Sequence, residues 1–143
     1  MKISQLSIFL ENRKGRLADV CSLLGEKGIN IRALTIAETE SFGVLRVVVD
    51  KSSEALELLK NNGFTANRTD VVAVEVQDKP GGLATVLRVL SENEVNVEYM
   101  YGFVEKFSDK ALLVLRVEDI AAAQKVLTAN GMNIVTEKDI QEL

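Results

Sequence analysis

Two short segments carry residue types suited to ligand chemistry, and each is a version of the other. DKPGGLATVLRVL begins at Asp78 and NRKGRLADVCSLL at Asn12, with glycine, leucine, alanine and valine at matching places and Lys14 where the later segment has Pro80, the only proline. In both, a turn leads into an apolar periodicity that predicts a helix. The first turn of a helix leaves about four N–H groups unbonded and carries roughly half a positive charge, so a carboxylate fits there. Pro80 fixes φ and contributes no N–H, while Gly81 and Gly82 let a ligand come close to the backbone. Asp78 sets a carboxylate beside the same turn, suited to an ammonium. Together these describe partners for the two ends of a free amino acid. The plainer reading of Asp78 and Asn12 is a helix cap or a tie across the turn. Arg13, Lys14 and Arg16 place three cations at the earlier turn, which read as a solvated turn or as a patch for an anionic ligand group or an acidic partner surface.

What the chain lacks narrows the chemistry further. Among 143 residues there is no histidine and no tryptophan. Without histidine, Ser/His and Cys/His nucleophilic sites are excluded and a zinc site is not expected. The carboxylates and lysines form no recognisable catalytic constellation, so no enzyme activity and no cofactor are expected. One cysteine, Cys21, lies inside an apolar helical pattern, where a free thiol behaves as a small hydrophobe. A net charge of -4 argues against a broad phosphate-binding surface. No apolar run is long enough to span a membrane and no signal-peptide pattern opens the chain, so a cytoplasmic protein is expected.

The elements that must position these turns also occur twice. LSIFLEN (6 to 12) pairs with VAVEVQD (72 to 78), each alternating apolar residues with period 2, the signature of a strand with one buried face. Leu17, Val20, Cys21 and Leu24, like Leu83, Val86, Leu87 and Leu90, recur at helical spacing. GINIRAL (28 to 34) then pairs with EVNVEYM (94 to 100), and VLRVVVDKSSEALELLKNNGF (44 to 64) with LLVLRVEDIAAAQKVLTANGM (112 to 132), once two extra residues are allowed in the second copy's preceding turn. FTANR and MNIVTEK supply a last strand to each half. Both halves thus read strand, helix, strand, strand, helix, strand, the ferredoxin-like βαββαβ order. The fold class is α+β: two tandem units, residues 1–68 and 69–143, each an antiparallel sheet with both helices on one face. A unit of this size needs cover for its other face, and no Gly/Ser/Pro linker separates the two, so a fixed pairing is expected. Tyr99, Tyr101 and Phe103 are expected to cover an interface between sheets or subunits. Gly28 is read as helix-ending, with Asn93 taking the left-handed conformation in the second copy.

The pattern D/N-x-P-G-x-L, followed by a helix and then x-N-I/V, resembles the ACT domain, a small regulatory module that commonly binds amino acids. QDKPGGLATVLRVLSENEVNV is similar to the common D-x-P-G form, and ENRKGRLADVCSLLGEKGINI to the ENRPG type of the serine-sensing domain of phosphoglycerate dehydrogenase, with lysine replacing proline. The resemblance covers essentially the whole chain. It implies ligand contacts from Asp78, Pro80, Gly81, Gly82, Leu83 and Asn96 in the second copy, and from Asn12, Gly15, Arg16, Leu17 and Asn30 in the first, made across a domain interface. Leu10 and Val76 stand where the serine-sensing type has a histidine, so serine specificity does not carry over.

The expected function is that of a regulatory protein that binds a small molecule, an amino acid or related metabolite, and acts on a partner enzyme or through its own assembly, with a homodimer anticipated. The second copy, with the stiffer turn, is expected to be the better ligand site. The alternative is a structural or interaction module with vestigial sites. RNA-recognition domains share the element order, but ESFGVLRV (40 to 47) lacks their leading basic-glycine pair and final aromatic, and DKALLVLR has no aromatic at all; nucleic acid is not expected as a partner.

Overall fold

The computed structural model describes residues 2–11, 13–38, 41–105 and 109–143, and among these alternating apolar residues build seven strands while helical periodicity builds four longer helices, with a short fifth at the end. The first unit runs β1 (Ile3–Glu11), α1 (Arg16–Glu26), β2 (Ile31–Glu38), β3 (Phe42–Val49) and α2 (Ser52–Asn61). β4 (Thr65–Gln77) follows, then α3 (Gly82–Glu92), β5 (Val97–Gly102), β6 (Lys110–Val117), α4 (Ile120–Ala129), β7 (Ile134–Val135) and α5 (Glu137–Gln141).

β4 belongs to both units. Its first half pairs with β1, from Phe9↔Thr65 to Ile3↔Val71, and its second half pairs with β6, from Val72↔Leu115 to Gln77↔Lys110. The sheet is therefore continuous and antiparallel, in the order β2-β3-β1-β4-β6-β5, with β7 pairing β4 on the edge away from β6. The expected boundary between residues 68 and 69 falls inside this strand. Each half of the sheet has the ferredoxin-like arrangement.

Strand alternation sorts the side chains into three layers. Leu6, Ile8, Leu10, Leu45, Val47 and Ala66 face Val20 and Leu24 of α1 and Ala55 and Leu59 of α2. Val72, Val74, Val76, Leu115 and Val117 face Val86 and Leu90 of α3 and Ala123 and Leu127 of α4. The opposite face of the sheet curls onto itself and encloses a third layer, where Ile3, Ala33, Val48 and Val71 meet Ala73, Tyr101, Leu112, Val114, Val135 and Ile140. The edge strands meet too, through an Ala33↔Phe103 bridge and a hydrogen bond from Val104 N–H to Arg32 O at 2.9 Å. This enclosed face is the one an RNA-recognition domain would use to stack bases, and here it is interior.

A polar cluster sits within the middle layer. Fully buried Gln5 donates to Ser7 Oγ at 3.2 Å and Tyr99 Oη at 2.8 Å, and accepts from Tyr101 Oη at 2.6 Å. Arg46 stacks on the Tyr99 ring, 3.9 Å from its centroid. Burial, with Tyr99 adding to it and Arg46 opposing, holds the Tyr101 phenol well above its ordinary pKa. The aromatic run at 99 to 103 thus lies between the two halves of the sheet, as its position in the sequence suggests.

Two expectations need correction. MNIVTEK gives only a two-residue strand, because Thr136 opens α5 with a reciprocal cap: its hydroxyl accepts from Asp139 N–H at 3.1 Å and Asp139 Oδ2 accepts from Thr136 N–H at 3.0 Å. The helix buries Ile140 in the middle layer, and Arg32 of β2 donates to its last carbonyls, Ile140 O and Gln141 O. The left-handed residue after α3 is Glu94 (φ 58), not Asn93. Asn93 instead bonds through its side chain to Val89 O at 2.8 Å, and the left-handed position falls at the offset set by Gly28 (φ 70) in the first unit.

Candidate functional site

The two turns have one backbone plan. Gly15 (φ 90) and Gly81 (φ 85) both precede their helices in the left-handed region, where glycine carries no steric penalty. Arg13 N–H bonds to Glu11 O at 2.8 Å, and Lys79 N–H to Gln77 O at 2.9 Å. The second turn is the tighter of the two. Gly82 N–H donates to Lys79 O at 2.9 Å, whereas the matching bond from Arg16 N–H to Arg13 O is 3.4 Å. Gly82 lies so close to β4 that an added Cβ would collide with the Gln77 carbonyl oxygen.

Around the second turn, Asp78, Pro80, Gly81 and Leu83 are exposed and Gly82 is buried. Leu83 is 41% exposed and Leu17 42%, although both belong to apolar helical periodicities. Only Val20 and Leu24 of α1, and Val86 and Leu90 of α3 beside Gly82, are buried. The apolar stripe of each opening helix is thus wider than the face its own unit covers. At the first turn, Asn12 lies outside the described residues. Arg16 turns inward, its guanidinium 4.5 Å from the centroid of Phe64 and 3.4 Å from Asp19 Oδ2. Arg13 pairs with Glu11 at 3.6 Å.

The asparagines lie elsewhere. Asn96 follows α3, and a helix of that length separates it from Gly82 by ~16 Å. It lines a broad open groove with Arg68 and Asp70 of β4, Arg116 of β6 and Glu118. Asn30 is held through its backbone, its N–H bonding to Asp50 Oδ1 at 3.0 Å and its carbonyl accepting from Asp50 N–H at 3.2 Å. Within one chain, the structure brings Asp78 and the turn glycines together but leaves Asn96 apart from them.

Two charged residues beside the second turn were not among the sequence expectations. Glu75 of β4 and Lys110 of β6 form an ion pair at 3.7 Å and line, with Gly82 and Thr85, a cavity of about 250 Å³. The signal was a lone acid inside the apolar run VAVEV. Among the described residues no cluster of three or more metal-ligating side chains occurs, and no helix is long and apolar enough to cross a membrane.

Residues 1–143 match the family model described as an ACT domain pair. The chain belongs to the ACT domain pair family. A crystal structure of a Bacteroides thetaiotaomicron protein superposes with a TM-score of 0.93 at 39% identity, covering 100% of this ACT pair and 98% of that chain. The ligand-free regulatory subunit of aspartate kinase from Thermus thermophilus shares the fold, with a TM-score of 0.64 at 20% identity over 88% of this chain and 91% of that one. An acetolactate synthase small subunit of Buchnera aphidicola subsp. Baizongia pistaciae is 39% identical over 49 residues, which are 34% of this chain and 31% of that subunit. The match thus spans about a third of that relative's length. ACT pairs are regulatory modules, and the fold, the repeat and the paired turns all fit that class.

Proposed function

We propose that this ACT pair, built of units 1–68 and 69–143, is a non-catalytic regulatory protein that binds an amino acid or a closely related metabolite at the second turn and controls a partner enzyme. The observation that carries the reading is the tight turn at Pro80, Gly81 and Gly82, which presents the start of α3 beside Asp78. A ligand carboxylate fits the helix start and its ammonium fits Asp78. Leu83, exposed on the same turn, suits a short apolar side chain. Asn96 lies too far away in the same chain, so the complete site takes Asn96 from a second copy, and the active form is a homodimer. The Asn12, Gly15, Arg16, Leu17 and Asn30 set is the weaker counterpart, because Arg16 already fills its own turn. Two of the similar proteins, a regulatory subunit of aspartate kinase and a small subunit of acetolactate synthase, support an output on a separate enzyme chain.

Calorimetric and thermal-shift screening of the twenty amino acids and their keto acids tests this. Saturable binding is expected, weakened by Asp78→Ala and by Asn96→Ala alike. Mixing the two variants in equal amounts should restore about a quarter of the sites, because random exchange makes about half of the dimers mixed and each mixed dimer has one intact Asp78/Asn96 pair of its two. Binding that is lost in each variant and stays lost in the mixture would place both residues in one chain's site. No binding by any member of the panel would leave a structural module with vestigial turns.

A further inference from the structure

The polar cluster of the middle layer ends in hydroxyl protons that no described residue accepts. The Gln5 amide nitrogen donates to the oxygens of both Ser7 and Tyr99, while its carbonyl accepts the Tyr101 proton. The reverse orientation of the amide would strand that proton, because Tyr101 is buried in an apolar layer with Ile3, Ala33 and Val114. A hydroxyl oxygen that accepts from Gln5 still has its own O–H to direct elsewhere. Among the described residues, neither the Ser7 nor the Tyr99 hydroxyl has an acceptor. Arg46 joins these two. It stands directly opposite Ser7 across β1 and β3, stacked on the Tyr99 ring, and among the described residues it forms no ion pair and no hydrogen bond. Stacking covers one face of the guanidinium and leaves the N–H groups in its plane unused. The fold itself does not require this polarity. The positions matching Gln5, Ser7 and Arg46 in the second unit are Val71, Ala73 and Val114, all fully buried. Strand alternation then carries the same face outward from Ser7 and Arg46 to the cross-strand pair Phe9 and Val44, where Phe9 is 44% exposed.

We propose that this margin of the curled sheet binds a small organic acid, a carboxylate on an apolar group without an ammonium. The carboxylate accepts from Ser7 Oγ, Tyr99 Oη and the Arg46 guanidinium. The two hydroxyl oxygens bond one and the same amide nitrogen, which brings them within the span of a single carboxylate. Arg46 supplies the charge, and its planar fork suits a carboxylate. The apolar group lies on Phe9 and Val44. An ammonium would meet only donors and a like charge here, so the free amino acid is the poorer ligand. The acid on the same face of β1 is Glu11, two alternations beyond Ser7 and paired with Arg13 at 3.6 Å. Gln5 holds both hydroxyls in place through bonds of 3.2 and 2.8 Å, so the donors are set before the ligand arrives. This site stands apart from the amino-acid site proposed above, because it uses neither Asp78 nor Asn96 and lies on the face of the sheet away from α1 and α3.

Benzoate is the probe, titrated calorimetrically into the full chain, with benzamide as a neutral molecule of the same shape. One saturable benzoate site per chain is expected, and benzamide should bind about tenfold more weakly or worse. Arg46→Gln should weaken benzoate about tenfold or more. Tyr99→Phe keeps the ring under Arg46 and removes one donor, so it should weaken benzoate severalfold. Asp78→Ala and Asn96→Ala should leave it unchanged. Melting temperatures taken beside each titration separate a lost site from a lost fold. Absence of benzoate binding to the unmodified chain would overturn the proposal. So would benzamide binding as tightly as benzoate, or benzoate binding that both Arg46→Gln and Tyr99→Phe leave intact. Benzoate binding that Asp78→Ala abolishes and Arg46→Gln spares would put the acid at the α3 turn, and would overturn it equally. A benzoate response without any amino-acid response would sustain this site and reject the other, and the reverse pattern would do the opposite.

Discussion

Replacing Gln5 with leucine should loosen the closure of the sheet, by an amount its hydrogen bonds allow to be worked out. The substitution removes the bonds to Ser7, Tyr99 and Tyr101 at once. Tyr99 is half-buried and its hydroxyl can turn to water, but Tyr101 is only 8% exposed and its hydroxyl is stranded. A stranded buried hydroxyl costs ~1–3 kcal/mol, so a net loss of ~2 kcal/mol is expected once the leucine's own burial offsets part of the deficit. Tyr101→Phe strands one lone pair of an amide that keeps its other bonds, and should cost ~1 kcal/mol. The double variant leaves apolar against apolar. It should therefore be more stable than the sum of the singles predicts, by ~1–2 kcal/mol. Urea unfolding of the four proteins measures this cycle. An independent check comes from alkaline pH. The Tyr101 pKa is raised in the folded state, so the stability tied to the neutral phenol is complete below the unfolded value, about 10, and is lost as pH rises beyond it. That alkaline loss should shrink in Tyr101→Phe. Additive free energies, or an identical alkaline limb in the unmodified chain and Tyr101→Phe, would refute the cluster as a coupled lock between the two halves.

Other consequences are simpler to state. Gly82→Ala should cost ~3 kcal/mol or more, since the new Cβ meets backbone that cannot step aside; thermal unfolding with no fall in melting temperature would show that the turn relaxes. Glu94→Gly should raise the free energy of unfolding by ~0.5–1 kcal/mol, read as a higher urea midpoint, by relieving a left-handed glutamate. Burial raises the pKa of Glu137 despite the Ser4 N–H and Arg68, so its contribution to stability is greatest at acid pH and is lost as pH rises through the folded value. Glu137→Gln should accordingly be more stable than the unmodified chain at neutral pH, with the gap closing on acidification. Asp139 has the opposite sign: hydrogen bonds from Thr136 lower its pKa, so Asp139→Asn should cost stability at neutral pH and progressively less below the ordinary carboxylate range.

The repeat made most of the fold legible. Period-2 and period-3.6 patterns recurring at a fixed offset give the same six elements twice, and the absence of linker residues between FTANR and VAVEV anticipates the single strand β4. The tyrosines at 99 and 101 were legible as interface because the first copy has small residues at those places. What escaped depends on contacts between the halves. α5 is set by a four-residue cap competing with a β-branched run, and its docking by Arg32, more than a hundred residues away in sequence. Glu94 was misread because residue preference favours Asn93, whereas helix geometry fixes the offset. Leu17 and Leu83 look like core from their spacing, but each unit has only enough sheet to cover a narrower stripe. The inward turn of Arg16 was also hidden, since three neighbouring cations read as a solvated patch until Phe64 is placed beside one of them.

The shared strand explains why the candidate site residues do not converge in one chain. The turn of the first unit follows β1, whose end pairs with the start of β4, while the second turn follows the end of β4. At about 3.3 Å per residue the length of β4 holds the two turns tens of ångströms apart. Asn30 and Asn96 start the strands that pair with the far ends of β3 and β6, and those ends lie beside the middle of β4, around Val71 and Val72. Curling the sheet closed consumes the inner face and brings β2 to β5, so neither is available to bring a turn and an asparagine together. The surfaces that remain are the outer ones, where Leu17, Leu83, Leu34 and Ile36 stay exposed. A second chain can reach these without disturbing the interior. A ligand bridging two chains at such a surface would stabilise their pairing the more its concentration exceeds its dissociation constant, which is how a regulatory module can turn metabolite concentration into a change of assembly.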